Sequence, residues 1–448
     1  MEKLLQVKEY DTIMCNENYI GSPCFKYLER RYFDELKQFV ETYTTDSTDI
    51  LEFMRIGFKR SVGETITLNN YVGIIELPSG FQIEILPKTT LGETDGSVAE
   101  TKSIFLNMLR CLKEFDGKAF GSASLNADKM NLYEVFIKMY IKEAQNLVKH
   151  GLKSGYIANE ENLRFYKGKL QVSQHIKANL AHKERFFMKY DEYQLNRAEN
   201  KLVKTTLLKL QGLTRSSDSA REIRQLLTYF ELVDVSTNID KDFGQISIGR
   251  DTKDYERLIQ WAEIFLRNKS FTTFSGKDSG QAILFPMEKV FEAFVAKWVK
   301  HIFTEKSAGV MQVSAQDGGY YLFDQPRKFR LRPDIVVKEQ DMCPVIMDTK
   351  WKRLKPDSGI NYGISQADMY QMYAYSKKYH TPSIWLLYPL NDDVRAIENL
   401  SFQAVKDEDM LVNVHVFFID LANYQESLET LYERIMQEQS SKVNILME

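Results

Sequence analysis

Two strand-like runs, each carrying an aspartate among or beside its apolar residues, set the tightest limit on how this chain of 448 residues can fold. In KFRLRPDIVVK, Pro333 and Asp334 stand near the middle of an expected strand. In CPVIMDTKWKRL, Asp348, Thr349 and Lys350 close the apolar run Val345-Ile346-Met347. Short runs of this kind suit buried strands, and KEQDM between them has the length of a hairpin loop. Strand side chains alternate, so Asp348 and Lys350 face one side while Thr349 and Trp351 face the other. Pairing around residues 338–344 then brings Asp334 and Asp348 to the same end of the sheet. Charge among apolar strand residues is costly without a purpose, and two adjacent carboxylates repel unless a cation neutralises them. The economical reading is a site for a hard divalent metal, Mg2+ with Mn2+ as the alternative. Lys350 is placed to orient a metal-polarised water or to stabilise developing charge.

The flanks extend this pattern. FPMEKVFEAFVAKWVKHIF precedes the strands as a helix. On it, Glu288 and Glu292 lie one turn apart, and Glu292 borders the stripe of Phe291, Phe294 and Val295, where it can supply a further metal ligand. ISQADMYQMYAYSKKY follows as a second helix, with Gln371 and Tyr375 on one face to brace the site or a phosphate. Strands PSIWLLYPL and VNVHVFFIDL and a final helix YQESLETLYERIMQ complete a mixed sheet flanked by helices. Pro333-Asp334, thirteen residues, then Asp348-x-Lys350 is the PD-(D/E)xK nuclease signature, and the Gln371-x-x-x-Tyr375 spacing matches its RecB-like members. The competing reading is structural: strand-end carboxylates salt-bridged to Arg330, Arg332 and Lys350, with Gln371 and Tyr375 packing only.

Upstream, SPCFKYLERRYFDELKQFVETY has the spacing of one helix. ETITLNNYVGIIELPSGFQIEILPK reads as a β meander with a hairpin at Pro78-Ser79-Gly80, in which Phe81, Ile83 and Ile85 face a core while Gln82 and Glu84 point away. TKSIFLNMLRCLKEF is a further amphipathic helix. Residues from about 130 to 270 read as mainly helical, interrupted by a basic stretch with interleaved aromatics, and SGKDSG at 275–280 reads as a linker. The expected class is therefore a multidomain α+β protein. Residues 1–130 form a mixed α/β N-terminal region, 131–274 a mainly helical middle domain, and 275–448 a PD-(D/E)xK restriction-endonuclease-like domain whose mixed sheet is flanked by helices.

Composition narrows the function classes. Cys15, Cys24, Cys111 and Cys343 form no CxxC pair, and the six histidines fall in no ligand spacing, so neither a zinc ribbon nor a histidine-bound zinc centre is supported. There is no GxxxxGK[ST], which removes nucleotide hydrolysis by this chain. No apolar run approaches the ~20 residues of a membrane helix, and the N-terminus lacks the signal-peptide pattern, so a reducing cytoplasm is expected. A formal charge of -3, from 59 basic and 62 acidic residues, supplies no global field for DNA. The basic excess is local: ten Lys and Arg against four Glu over Lys142–Lys189, and nine against four acids over Arg327–Lys355.

At four places the chain resembles McrC, the nuclease subunit of McrBC modification-dependent restriction systems. They are YVGIIELPSGFQIEILPKT; FYKGKLQVSQHI with YDEYQLNRAENKLVKTTLLKL; LFPMEKVFEAFV; and RPDIVV with VIMDTKW and DMYQMYAY. In order and spacing they cover most of residues 65–390. The resemblance implies that Asp334, Asp348 and Lys350 are the catalytic positions. It also implies a partner, an McrB-like AAA+ GTPase that binds GTP, recognises modified double-stranded DNA and is stimulated by the N-terminal part of McrC. Cutting both strands would need two sites, which makes a homodimer through the nuclease domain attractive. The rival readings are a RecB-like exonuclease acting alone at DNA ends and a non-catalytic adaptor of an AAA+ ring.

Overall fold

The computed structural model describes residues 4–46, 53–88, 97–112, 130–247, 249–267, 281–339, 342–355, 361–395, 397, 400–407 and 410–447. The expected linker at 275–280 lies outside them. Contacts divide the chain into two compact units: one joins the described N-terminal residues up to 112 with those from 281 onward, and the other holds those from 130 to 267.

The first unit begins with β1 (Leu4–Lys8), β2 (Thr12–Met14), β3 (Lys26–Tyr27), α1 (Arg30–Asp46), β4 (Met54–Lys59), β5 (Gly63–Leu68), β6 (Tyr71–Glu76), β7 (Gln82–Leu86) and α2 (Ser97–Leu109). The helix expected from residue 22 starts instead at Arg30. The preceding residues pair, with β3 running parallel to β2 and the Leu28 amide donating to the Met14 carbonyl at 2.9 Å. β2 to β5 make one four-stranded sheet. The hairpin expected at Pro78-Ser79-Gly80 forms between β6 and β7. Its face assignment needs correction, because every residue of β7 is buried, including Gln82 and Glu84. Alternation failed there because a charge partner comes from another element: Lys102 of α2 meets Glu84 at 2.9 Å, both side chains almost fully enclosed. A buried acid is tolerated when paired in this way.

The second unit comprises α3 (Leu132–His150), β8 (Gly155–Leu163), β9 (Lys169–Leu170), α4 (Val172–Asn179), β10 (Phe186–Gln194), α5 (Ala198–Leu213), α6 (Ser217–Tyr229), α7 (Ile239–Gln245) and α8 (Glu256–Arg267). Its core is aromatic, with Phe136 of α3 set 5.6 Å from Trp261 of α8 and Tyr140 5.8 Å from Phe265 between ring centroids. The helical reading of this region missed the sheet β8-β10-β9. β8 and β10 pair over nine residues but expose most of both faces, so little apolar periodicity marks them. Cross-strand charge pairs such as Lys189–Glu160 at 2.9 Å stabilise the ribbon instead.

The first unit resumes with β11 (Gln281–Pro286), α9 (Met287–Lys306), β12 (Gln312–Ala315), β13 (Tyr321–Asp324), β14 (Arg327–Arg330), β15 (Ile335–Glu339), β16 (Met342–Thr349), α10 (Gln366–Tyr379), β17 (Ser383–Pro389), β18 (Leu400–Asp407), β19 (Met410–Ile419) and α11 (Tyr424–Met447). β11 pairs antiparallel with β6 and completes the sheet β1-β7-β6-β11, so a late segment finishes an early sheet. Gly73 permits this. Its φ is +149°, and a Cβ there would collide with the Ile283 carbonyl of β11. The remaining strands form a six-stranded mixed sheet, β12-β15-β16-β17-β19-β18, with β16, β17 and β19 parallel and the other pairings antiparallel. β17 is buried throughout, as a central strand covered on both faces must be.

Candidate active site

The run KFRLRPDIVVK is two strands, not one. β14 pairs with β13 in a separate ribbon, and the chain re-enters the main sheet at Ile335. Pro333, which cannot donate to a ladder, stands in the break. Asp334 therefore sits immediately before β15 and not in mid-strand. The hairpin register does the rest: Ile335 pairs with Met347, so one step outward sets Asp334 opposite Asp348. The two carboxylates reach the same end of the sheet, as the spacing required.

Each group at this end has a defined hold. Asp334 accepts at Oδ2 from the Thr349 backbone N–H and from Thr349 Oγ1, both at 2.7 Å. Asp348, with its side chain 2% exposed, meets Lys350 Nζ at 2.6 Å through Oδ2. Lys350 Nζ also donates to Gln371 Oε1 at 3.4 Å, and Gln371 Nε2 donates to the Tyr375 hydroxyl at 2.7 Å. Gln371 and Tyr375 thus form a relay along one face of α10, whose N-terminus is capped by Ser365 accepting from the Asp368 amide. Glu292 comes from α9. Gln316 Nε2 donates to Glu292 Oε1 and, at 3.5 Å, to Asp334 Oδ1, while the Gln316 amide donates to the Asp334 carbonyl at 2.8 Å. The five residues singled out in the sequence fall into two bonded groups, Glu292 with Asp334 through Gln316 and Asp348 with Lys350 and Gln371, which the chain joins at Asp348-Thr349-Lys350. Glu288 is exposed and outside it. Of the partners the structural alternative supposed, Lys350 does pair with Asp348, whereas Arg330 donates to the Gly318 carbonyl at 2.7 Å. Lys352 turns to Asp368 at 2.9 Å.

The electrostatics are those of a site short of positive charge. Burial, then repulsion from Asp334, pushes the Asp348 carboxyl up to about 7, against the pull of Lys350. Burial also raises Asp334, against its bonds from Thr349, and it raises Glu292, where the charge of Asp334 adds to the effect. For Lys350, burial opposes the charged form, but Asp348, Asp334 and Asp368 together outweigh it and keep the ammonium protonated. No three His, Cys, Asp or Glu side chains among the described residues already converge as a metal cage. The donor chemistry nevertheless fits a hard divalent cation: oxygen ligands only, Asp348 buried and Asp334 and Glu292 half-buried, mutually repelling with a single lysine to offset them. Thr349 and Gln316 were not legible as site residues. Thr349 is the unconstrained position of the Asp-x-Lys pattern, and Gln316 arrives from a strand end with no local signal.

The family model described as "McrBC 5-methylcytosine restriction system component" matches residues 66–389, well over half of the chain. The chain belongs to the McrBC family. The match of this McrBC-family chain agrees with the family resemblance read from the motifs. No curated protein matches the sequence. Among solved structures, the refined half-complex from the tetradecameric assembly of Thermococcus gammatolerans McrB AAA+ hexamers with bound McrC contains a similar chain. The likeness has a TM-score of 0.66 at 15% identity and covers 96% of this chain and 100% of that one, which establishes a shared fold. The cryo-EM structure of the Thermococcus gammatolerans McrBC complex is also similar, with a TM-score of 0.45 at 18% identity over 67% of this chain and 88% of that one.

Proposed function

We propose that this chain is the DNA endonuclease subunit of a McrBC-type restriction system, hydrolysing phosphodiester bonds after delivery to DNA by an McrB-like AAA+ GTPase that it stimulates in turn. One observation carries the catalytic part: Asp334 and Asp348 lie in register at a buried sheet end with Lys350 paired to the second. Asp334, Asp348 and Glu292 would hold Mg2+ or Mn2+, which when bound supplies Lewis-acid polarisation of the phosphodiester and a more acidic water. Lys350 remains protonated and offers its N–H donors to the attacking water or to charge developing on phosphate. Gln371, steadied by Tyr375, holds Lys350 at that position, and Thr349 fixes the orientation of Asp334. The GTP belongs to the partner, since no phosphate-binding loop is written in this sequence. The neighbour's description, hexamers of an AAA+ protein with McrC bound, supports a ring-shaped partner here as well.

The test is reconstitution. Closed circular and linear duplexes, methylated and unmethylated, are incubated with Mg2+, the chain, its AAA+ partner and GTP. Cutting of closed circles that requires the partner supports the proposal. Trimming of linear ends by the chain alone would replace it with the exonuclease reading, and no cleavage under any condition would favour the adaptor.

A further inference from the structure

The N-terminal sheet reaches the Asp348-x-Lys350 segment through one buried carboxylate. Glu9 follows β1, and its backbone N–H continues the parallel ladder to the Leu86 carbonyl at 2.9 Å. Tyr10 then turns the chain at φ +64°, so Glu9 is held between a paired strand and a tight turn. Its side chain is 1% exposed. Oε1 accepts from the Lys88 amide at 2.7 Å, and both carboxylate oxygens stand 3.0 Å from Trp351 Nε1. Trp351 follows Lys350 directly, after β16 has ended, and its ring packs on Phe291, the residue before Glu292, at 5.3 Å between centroids. A crevice of about 40 Å3, lined in part by Glu9, Tyr10, Trp351 and Leu390, opens beside the indole. Phe291 holds one side of the indole and the crevice borders it, while the bond to Glu9 fixes the direction of its N–H.

We propose that Glu9 is a positioning residue for the nuclease centre: by anchoring Trp351 it sets the backbone of the Asp348-x-Lys350 segment and the facing turn of α9 that carries Glu292. The inference rests on the nuclease reading above and deepens it. A buried indole N–H that loses its acceptor must either stay unsatisfied or move. Movement here would carry Lys350 with it, and displacement of a reacting group by about 1 Å costs on the order of 100-fold in rate. Substrate affinity has no reason to change, because neither Glu9 nor Trp351 offers a group to DNA.

The experiment uses the full chain assembled with its AAA+ partner and GTP. Glu9→Leu, Glu9→Gln and Trp351→Phe are compared with wild type for kcat and KM of DNA cleavage and for stimulation of the partner's GTPase. Asp348→Ala runs in parallel. Glu9→Leu is expected to lower kcat by roughly 10- to 100-fold, with KM for DNA and GTPase stimulation within about twofold of wild type. Glu9→Gln, which keeps an acceptor for the indole, should recover kcat to within about threefold. If Glu9→Leu does not fold, Trp351→Phe tests the same bond from the donor side and should lose kcat similarly. Wild-type kcat in Glu9→Leu or in Trp351→Phe overturns the proposal, as does a Glu9→Gln as impaired as Glu9→Leu. Cleavage retained by Asp348→Ala would instead remove the nuclease site itself, so the two failures are separable.

Discussion

Thr349 shows how much a single unremarked residue contributes at this site. Its amide and its hydroxyl both donate to the same Asp334 oxygen, so Thr349→Val keeps shape and the amide bond but deletes one donor. We expect metal affinity or cleavage to fall by roughly 10- to 100-fold, as for other groups that orient a ligand, with folding preserved; a Mg2+ titration of cleavage measures it. Glu9 gives a prediction about stability. Burial raises its pKa from 4.5 to about 7, so the fold favours the protonated acid. Its contribution is fully present below pH 4.5 and is lost as pH rises through about 7, amounting to about 3 kcal/mol over that window. Urea unfolding at pH 5 and pH 8 should show wild type losing about that much more stability than Glu9→Gln. Parallel losses in the two proteins would show that burial does not raise the pKa of Glu9 in the fold.

At the scale of elements, the hairpin of β15 and β16 was readable because continuous apolar runs mark strands buried on both faces, although Lys338, Glu339 and Met342 of the expected loop belong to the strands. Where elements were misread, a distant partner had overridden the local pattern. Lys102 buries Glu84, and the break at Pro333 sends β14 to another ribbon. The ribbon of β8 and β10 was illegible for the opposite reason, because both of its faces are largely exposed and leave no hydrophobic stripe. The site divides similarly. Asp334, Asp348 and Lys350 follow from strand geometry, whereas Gln316 and the Glu9–Trp351 bond depend on residues brought together only by tertiary structure. Gly73 carries an element-scale prediction. Gly73→Val places a side chain against the β11 backbone at a φ that L-residues avoid, and should destabilise the protein by at least about 2 kcal/mol in denaturant unfolding. An unchanged midpoint would mean that β6 and β11 are not closely paired.

The whole molecule carries a formal charge of -3, with its basic excess confined to two stretches. In the stretch over Lys142–Lys189, two of the ten cations pair with acids: Lys167 with Glu192 at 3.3 Å and Lys189 with Glu160 at 2.9 Å. With no net positive charge over the whole chain to draw it to a polyanion, the isolated chain should bind duplex DNA weakly at physiological salt. Tight, salt-resistant binding in a fluorescence anisotropy titration would contradict this. On the proposed function, delivery by a partner is the route to DNA, and partner stimulation and phosphodiester cleavage would be separable activities of one chain. The most direct measurement is cleavage of closed circular DNA by Asp348→Asn assembled with the AAA+ partner, Mg2+ and GTP, with GTP turnover followed in the same reaction. The account predicts GTPase stimulation near the wild-type level and cleavage reduced on the order of a thousandfold or more, the effect of several kcal/mol of lost transition-state stabilisation. Cleavage at the wild-type rate by Asp348→Asn would place the chemistry elsewhere.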